Sequence, residues 1–208
     1  MPYTWDRTAL RYRYPNGRLV PERTVENRAQ RYVEDAGREM RGLTDRLINE
    51  SLSLPEFEAE MRRLMKDVHI NMLRLGAGGR AAATSQHYGK AGAILREQYR
   101  FLRGFVDDLR AGRYASAPGQ ARARAQMYGK AAYQSYWAAR QYAAQAAGYL
   151  WKRRVLHPGE SCEDCVAQSQ LGLVPIDDPR VTGVRDGSTR CLTNCNCEIV
   201  FERTLPSA

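Results

Sequence analysis

The sequence predicts a mainly α-helical protein. It reads as a bundle of long helices, preceded by a short N-terminal β arm and followed by a small C-terminal β module. Three observations lead there. Apolar residues recur at three- and four-residue steps through most of residues 24–150. A Pro-Asn-Gly turn signal stands ahead of them, and all five cysteines fall beyond them, between Cys162 and Cys197. The chain has 208 residues, 43% of them apolar, which is enough to bury a core and excludes disorder of the whole chain. No run approaches the roughly 18 consecutive apolar residues of a membrane span. Met1-Pro2-Tyr3-Thr4-Trp5-Asp6-Arg7 lacks the apolar core of a signal peptide, so Sec export is not expected.

Residues 1–23 form the expected β-hairpin arm. Tyr12-Arg13-Tyr14 leads into Pro15-Asn16-Gly17-Arg18 and then Leu19-Val20-Pro21. Asn and Gly both tolerate the positive φ of a tight hairpin turn. A lone two-stranded hairpin is marginal in water, so the arm must pack on its own helices or a partner, or order only on assembly.

The basic α-helical domain covers residues 24–150. Val25, Ala29, Val33, Ala36, Met40 and Leu43 mark a helix from Thr24 to about Ser51. Ser53-Leu54-Pro55-Glu56 has the form of a capping box. Phe57, Met61, Leu64, Val68, Met72 and Leu75 then make an apolar stripe that stops at Gly76-Ala77-Gly78-Gly79. A third helix is expected from Arg80 to Arg110 and a fourth, rich in Ala, from Ser116 to Leu150. Tyr88-Gly89-Lys90 recurs as Tyr128-Gly129-Lys130. Two such helices could offer Tyr and Lys to one partner, although any two Ala-rich helices can share a short likeness.

Residues 151–208 form the cysteine-rich module. Trp151 to Leu156 and Glu198 to Glu202 read as strands. Between them stand Cys162-x-x-Cys165 and Cys191-Leu192-Thr193-Asn194-Cys195-Asn196-Cys197. A Cys-x-x-Cys turn brings two sulfurs to one side of a tight loop, half of a tetrahedral zinc site. Residues two apart on a strand share a face, so Cys195 and Cys197 can supply the other half. The expected ligands are therefore Cys162, Cys165, Cys195 and Cys197, with Cys191 the alternate. His157 is a possible substitute, but it opens a His-Pro-Gly turn. Four thiolates make a closed site, which points to structural zinc in a zinc-ribbon-like fold and away from metal catalysis. A metal staple suits a segment with so little apolar core. Disulfides formed in an oxidising medium, or free buried thiols, are the alternatives.

Net charge is +9, unevenly spread. Residues 1–155 hold 28 basic and 15 acidic side chains; residues 156–208 hold 4 and 8. Only Lys66, Lys90, Lys130 and Lys152 among the basic residues are not Arg. Arg suits bidentate phosphate contacts, and GC-rich coding produces the same bias. A basic body can face nucleic-acid phosphates without reading sequence, while an acidic module can dock on a basic protein surface. Arg11 and Arg13, interleaved with Tyr12 and Tyr14, and Lys90 and Lys130 of the repeat are the candidate nucleic-acid or partner contacts. No catalytic residue is expected. His69, His87 and His157 are scattered, and no phosphate-binding loop, dinucleotide fingerprint or serine elbow occurs. The Cys-x-x-Cys lacks the βαβ context of a redox site.

With these residues in view, the chain resembles the phage head-morphogenesis, or minor capsid, family related to the minor head protein of phage Mu. The likeness is carried by a strand, Cys162-x-x-Cys165, a spacer with Gly and Pro, Gly187-Ser188-Thr189-Arg190-Cys191 running on to Cys197, and a final strand. The arm and the long helices also look like such members. The family's His-Pro element before the Cys-x-Cys is absent, and Cys191 stands nearby instead. The resemblance implies a structural virion protein, made in the host cytoplasm and built into the procapsid at low copy. It implies portal protein or major capsid protein as partners, with nonspecific DNA as a further contact. It also implies homo-oligomerisation in the particle, no membrane and no enzymatic activity. A zinc-containing DNA-binding regulatory protein is the alternative, but the spacer where its recognition helix would stand is rich in Gly, Pro and Asp. A small redox or nuclease-like enzyme is a third.

Overall fold

The computed structural model describes residues 3–157, 159, 161–192 and 194–204. Pro158 of the His-Pro-Gly turn and Thr193 of the cysteine loop lie outside the described residues. In chain order the elements are β1 (Thr4–Asp6), β2 (Arg11–Arg13), α1 (Glu22–Ile48), α2 (Leu54–Ala77), α3 (Ser85–Arg110), α4 (Pro118–Lys130), α5 (Tyr133–Ala146), β3 (Trp151–Val155), α6 (Glu163–Gln170), β4 (Val174–Pro175) and β5 (Glu198–Glu202). The protein is mainly helical with small strands at both ends, as the apolar periodicity predicts.

Helix α2 is the hub, packed by α1, α3 and α5. Its start is the predicted capping box: the Ser53 amide donates to Glu56 Oε2 at 2.8 Å and the Glu56 amide donates to Ser53 Oγ at 3.4 Å. Phe57, Met61, Met65 and Met72 are wholly buried. The helix ends where Gly78 turns left-handed at φ 98. Two residues earlier Gly76 lets α5 cross closely, since a Cβ there would run into the Tyr136 carbonyl oxygen. From α1, Val25, Ala29, Val33, Ala36, Met40 and Leu43 enter the same core.

Two helices differ from expectation. Helix α3 starts at Ser85, five residues after Arg80, because His87 Nδ1 accepts from the Thr84 amide at 3.1 Å and caps the helix there. The single helix expected from Ser116 to Leu150 is broken into α4 and α5. At Ala131–Ala132 the ladder tightens to shorter-range bonds, with the Ala132 amide on the Gly129 carbonyl and the Ser135 amide on that of Ala132. Packing supplies the reason. Helix α4 lies on α1, where a Cβ on Gly129 would sit 3.2 Å from Gly37 N and Val33 O. Helix α5 lies on α2 and α3, and one straight helix cannot serve both beds.

The arm is folded onto the helices. Strands β1 and β2 pair antiparallel with Trp5 opposite Tyr12, so the main hairpin lies one strand upstream of the expected one. The Asn-Gly turn forms as well: the Tyr14 amide reaches the Arg18 carbonyl at 2.9 Å, Gly17 has φ 81, and Arg13 bridges Leu19. Tyr12 and Val20 are buried in the helical core, and the Tyr12 hydroxyl donates to the Leu75 carbonyl at 2.8 Å.

The module is a three-stranded antiparallel sheet in the order β4-β3-β5, with Trp151 opposite Glu202 and Val155 opposite Glu198. Both long strands fall where the sequence predicts them. Cys165, Val174, Val181, Val184 and Ile199 make a small separate core. Trp137 of α5 touches both cores and donates its indole N–H to the Val184 carbonyl at 2.6 Å. Among the described residues no helix is long and apolar enough to cross a membrane.

Candidate metal centre

Helix α6 positions the first two cysteines. Cys162 is its N-cap and Cys165 sits in its first turn, so a single turn of helix presents both sulfurs on one side. The opposing wall is the segment entering β5. Cys191 begins a tight turn, closed by the Asn194 amide on the Cys191 carbonyl at 2.9 Å, and Leu192 takes φ 51 to make it. That turn swings Cys195 and Cys197 back over α6.

All five expected ligand residues meet there. Cys165 Sγ lies 3.5 Å from Cys191 Sγ and 3.5 Å from Cys195 Sγ. The sulfurs of Cys162, Cys165 and Cys191 lie within 4.8 Å of one another, as do those of Cys165, Cys195 and Cys197. A tetrahedral site with Zn–S bonds of about 2.3 Å has S···S edges of about 3.8 Å, so the spacing suits one metal ion. The cluster can hold one. His157 stands apart from it, 3.5 Å from Glu198 Oε2.

The electrostatics divide the thiols. Burial opposes the Cys162 thiolate, yet hydrogen bonds from the Cys165 amide and from Cys191 outweigh it and bring its pKa down to about 7. Burial, reinforced by the neighbouring thiols, pushes Cys165 far up, and burial raises Cys191. The decisive neighbour is Arg154 on β3, only 2% exposed. Its Nη1 lies 3.4 Å from Cys195 Sγ and 3.6 Å from Cys165 Sγ. Its Nη2 donates to the carbonyls of Thr182 at 2.9 Å and Gly183 at 3.2 Å, and its Nε donates to Gln168 Oε1 at 2.9 Å. Among the described residues no carboxylate pairs with it. A guanidinium stays charged in proteins, and a buried charge without a counter-charge is costly. Burial works against the Arg154 charge, but Cys197, Cys165 and Cys195 more than restore it. Arg154 therefore offers a counter-charge to sulfur in its anionic form, which is the form that binds metal.

No family model, curated protein or solved structure matches the chain. The cysteine geometry and the motif spacing therefore carry the functional reading.

The other candidate contacts are dispersed. Arg11 donates to the Val20 carbonyl at 3.0 Å and lies 3.9 Å from Glu22. Arg13 binds Asp6 at 2.8 Å and the Gly17 carbonyl at 2.7 Å, so both arginines are taken up by the arm itself. Lys90 and Lys130 are exposed on different helices. Tyr88 accepts from Arg74 at 3.2 Å beside Leu73 and Ala91, whereas Tyr128 is buried in the main core, so the two copies of the repeat serve different places. His69 is buried between α2 and α5, its Nδ1 2.7 Å from Ser135 Oγ.

Proposed function

We propose that the protein is a zinc-stapled structural component of a phage head, a minor capsid protein that meets portal or major capsid protein. The observation that carries the metal part is the convergence of five cysteines, three of them facing a buried arginine that pairs with no carboxylate among the described residues. The ligands come from two overlapping sets of thiols, Cys162 with Cys165 and Cys191, and Cys165 with Cys195 and Cys197, so Cys191 competes for a place in the expected set of Cys162, Cys165, Cys195 and Cys197. Cys197, Cys165 and Cys195 all support the charge of Arg154. Four soft thiolates in tetrahedral reach select zinc. Saturated by protein, the ion has no open position and ties the start of α6 to the turn before β5. The head assignment draws on the layout of strand, Cys-x-x-Cys, spacer, cysteine turn and strand. It draws also on the division of charge between a basic body and an acidic module, which suits docking on a basic protein surface.

Elemental analysis and native mass spectrometry of the purified chain are expected to find one zinc per molecule. Metal-free protein with freely reactive thiols would remove the staple. Co-expression with portal and capsid proteins from the genome that encodes it is expected to yield procapsids carrying the protein in a few copies. Procapsids without it would overturn the head assignment and leave the zinc site standing.

A further inference from the structure

A groove of about 610 Å³ opens between the N-terminal arm, α1 and the turn joining α2 to α3. Four arginines line it: Arg7 from the arm, Arg28 from α1, Arg74 from α2 and Arg80 from the turn. No Asp or Glu does. Among the described residues none of the four pairs with a carboxylate. Other arginines of the bundle are neutralised, among them Arg62 with Glu58, Arg63 with Glu60 and Asp67, Arg122 with Asp45 and Arg124 with Asp108.

The two inner arginines are held by neutral phenols. Arg28 Nε donates to the Tyr32 hydroxyl at 3.1 Å, and Arg74 Nε donates to the Tyr88 hydroxyl at 3.2 Å. A phenol orients a guanidinium without cancelling its charge. Arg7 and Arg80 are exposed at the rim. Gly79, left-handed at φ 107, has nothing within 4 Å of where a Cβ would stand, so the groove is open at that end. Tyr3 is half-buried at the mouth, its ring fixed edge-on against Tyr14 at 5.2 Å.

Four like charges in one groove repel one another and are relieved by a chain of phosphates. Guanidinium is the side chain best shaped for phosphate oxygens. The aromatic mouth narrows the choice further. In a duplex the base faces are stacked on each other, whereas an unpaired base can lie on a tyrosine ring. We propose that this groove binds single-stranded nucleic acid, with backbone phosphates on Arg7, Arg28, Arg74 and Arg80 and a base on Tyr3. The site stands on the groove alone and is independent of both the zinc staple and the head assignment.

The test is fluorescence anisotropy on the full, metal-loaded chain, using a labelled oligo-dT and a duplex of equal length across a salt series. Arg7→Ser with Arg80→Ser removes two rim charges that pair with no carboxylate among the described residues. Arg96→Ser with Arg103→Ser removes the same charge from exposed positions outside the groove. The first pair is expected to weaken oligo-dT binding about tenfold. It is also expected to flatten the log–log salt slope by roughly 1.4, two phosphates at about 0.7 each. The second pair is expected to change affinity less than about twofold, and Tyr3→Ala to cost roughly fivefold or more. Circular dichroism checks that each variant is folded. Equal loss from the two charge pairs, duplex binding as tight as single strand, or no binding at all would each overturn the proposal.

Discussion

Arg154 places a permanent charge where strand alternation ordinarily puts an apolar side chain. On β3 the inward positions are Lys152 and Arg154, both buried, while Arg153 faces out. Lys152 reaches Gln141 Oε1 at 3.2 Å, and Arg154 reaches the sulfurs. Replacing Arg154 with Met is expected to weaken metal binding about 10- to 100-fold, the usual effect of losing a partner of the ligands. Competition with a chelator measures it, and unchanged affinity would mean that the thiolates need no counter-charge. His69 supplies a second residue-level test. Burial holds its pKa down at about 4, against about 6.5 in the unfolded chain. Between those values the unfolded state binds more protons, so stability is full above pH 6.5 and falls on acidification towards pH 4 by about 3 kcal/mol. His69→Asn, which keeps an acceptor near Ser135 Oγ, is expected to flatten that slope in denaturation at stepped pH; an unaltered slope would place the titration elsewhere. The five cysteines were legible in the sequence because their spacing states their chemistry. Arg154 was not, because Trp151-Lys152-Arg153-Arg154-Val155 does not say which face turns inward.

Elements read well where the buried face carries a continuous apolar stripe. The stripes of α1 and α2 were visible because each buries a continuous apolar strip, and the Ser53–Glu56 box fixed where α2 begins. The break between α4 and α5 was not visible, since Ala131 and Ala132 favour helix and the bend arises from a change of packing partner. Helix α6 was hidden in a spacer read as Gly, Pro and Asp, because its eight residues bury only Cys165 and carry no stripe. Glycines show the same dependence on neighbours. At Gly76 a methyl group would strike the Tyr136 carbonyl, and overpacking of this kind costs about 3 kcal/mol, well above the roughly 1 kcal/mol that Ala returns in helix propensity. At Gly104 on α3 there is nothing within 4 Å. Gly76→Ala is expected to lower the urea midpoint and Gly104→Ala to raise it by the equivalent of about 0.5–1 kcal/mol. Shifts of the same sign would show that the α2–α5 crossing is looser than its geometry.

At the scale of the molecule, the regions distinguished by charge and composition are fastened to each other. Phe201 of β5 packs with Leu10 and Ala144, and Arg203 donates to the Thr8 carbonyl at 2.9 Å, as Tyr149 does at 3.0 Å. Gln134 of α5 reaches the Asp186 carbonyl at 3.2 Å. The acidic module thus rests on α5 and on the loop of the arm, and the composition shift near residue 155 marks a change of chemistry across a contiguous structure. The pairing of β3 with β5 has a further consequence, in time. Helices α1 to α3 are joined by short connections and can dock early, whereas β5 must find β3 across the whole stretch that carries the cysteines. A long loop closes at an entropic cost, and thiolates gathered on one ion divide that loop into shorter ones before the strands meet. If the proposed site takes up its ion, metal supply would act as a clock, with the helical body maturing at its own pace and the sheet beside it waiting.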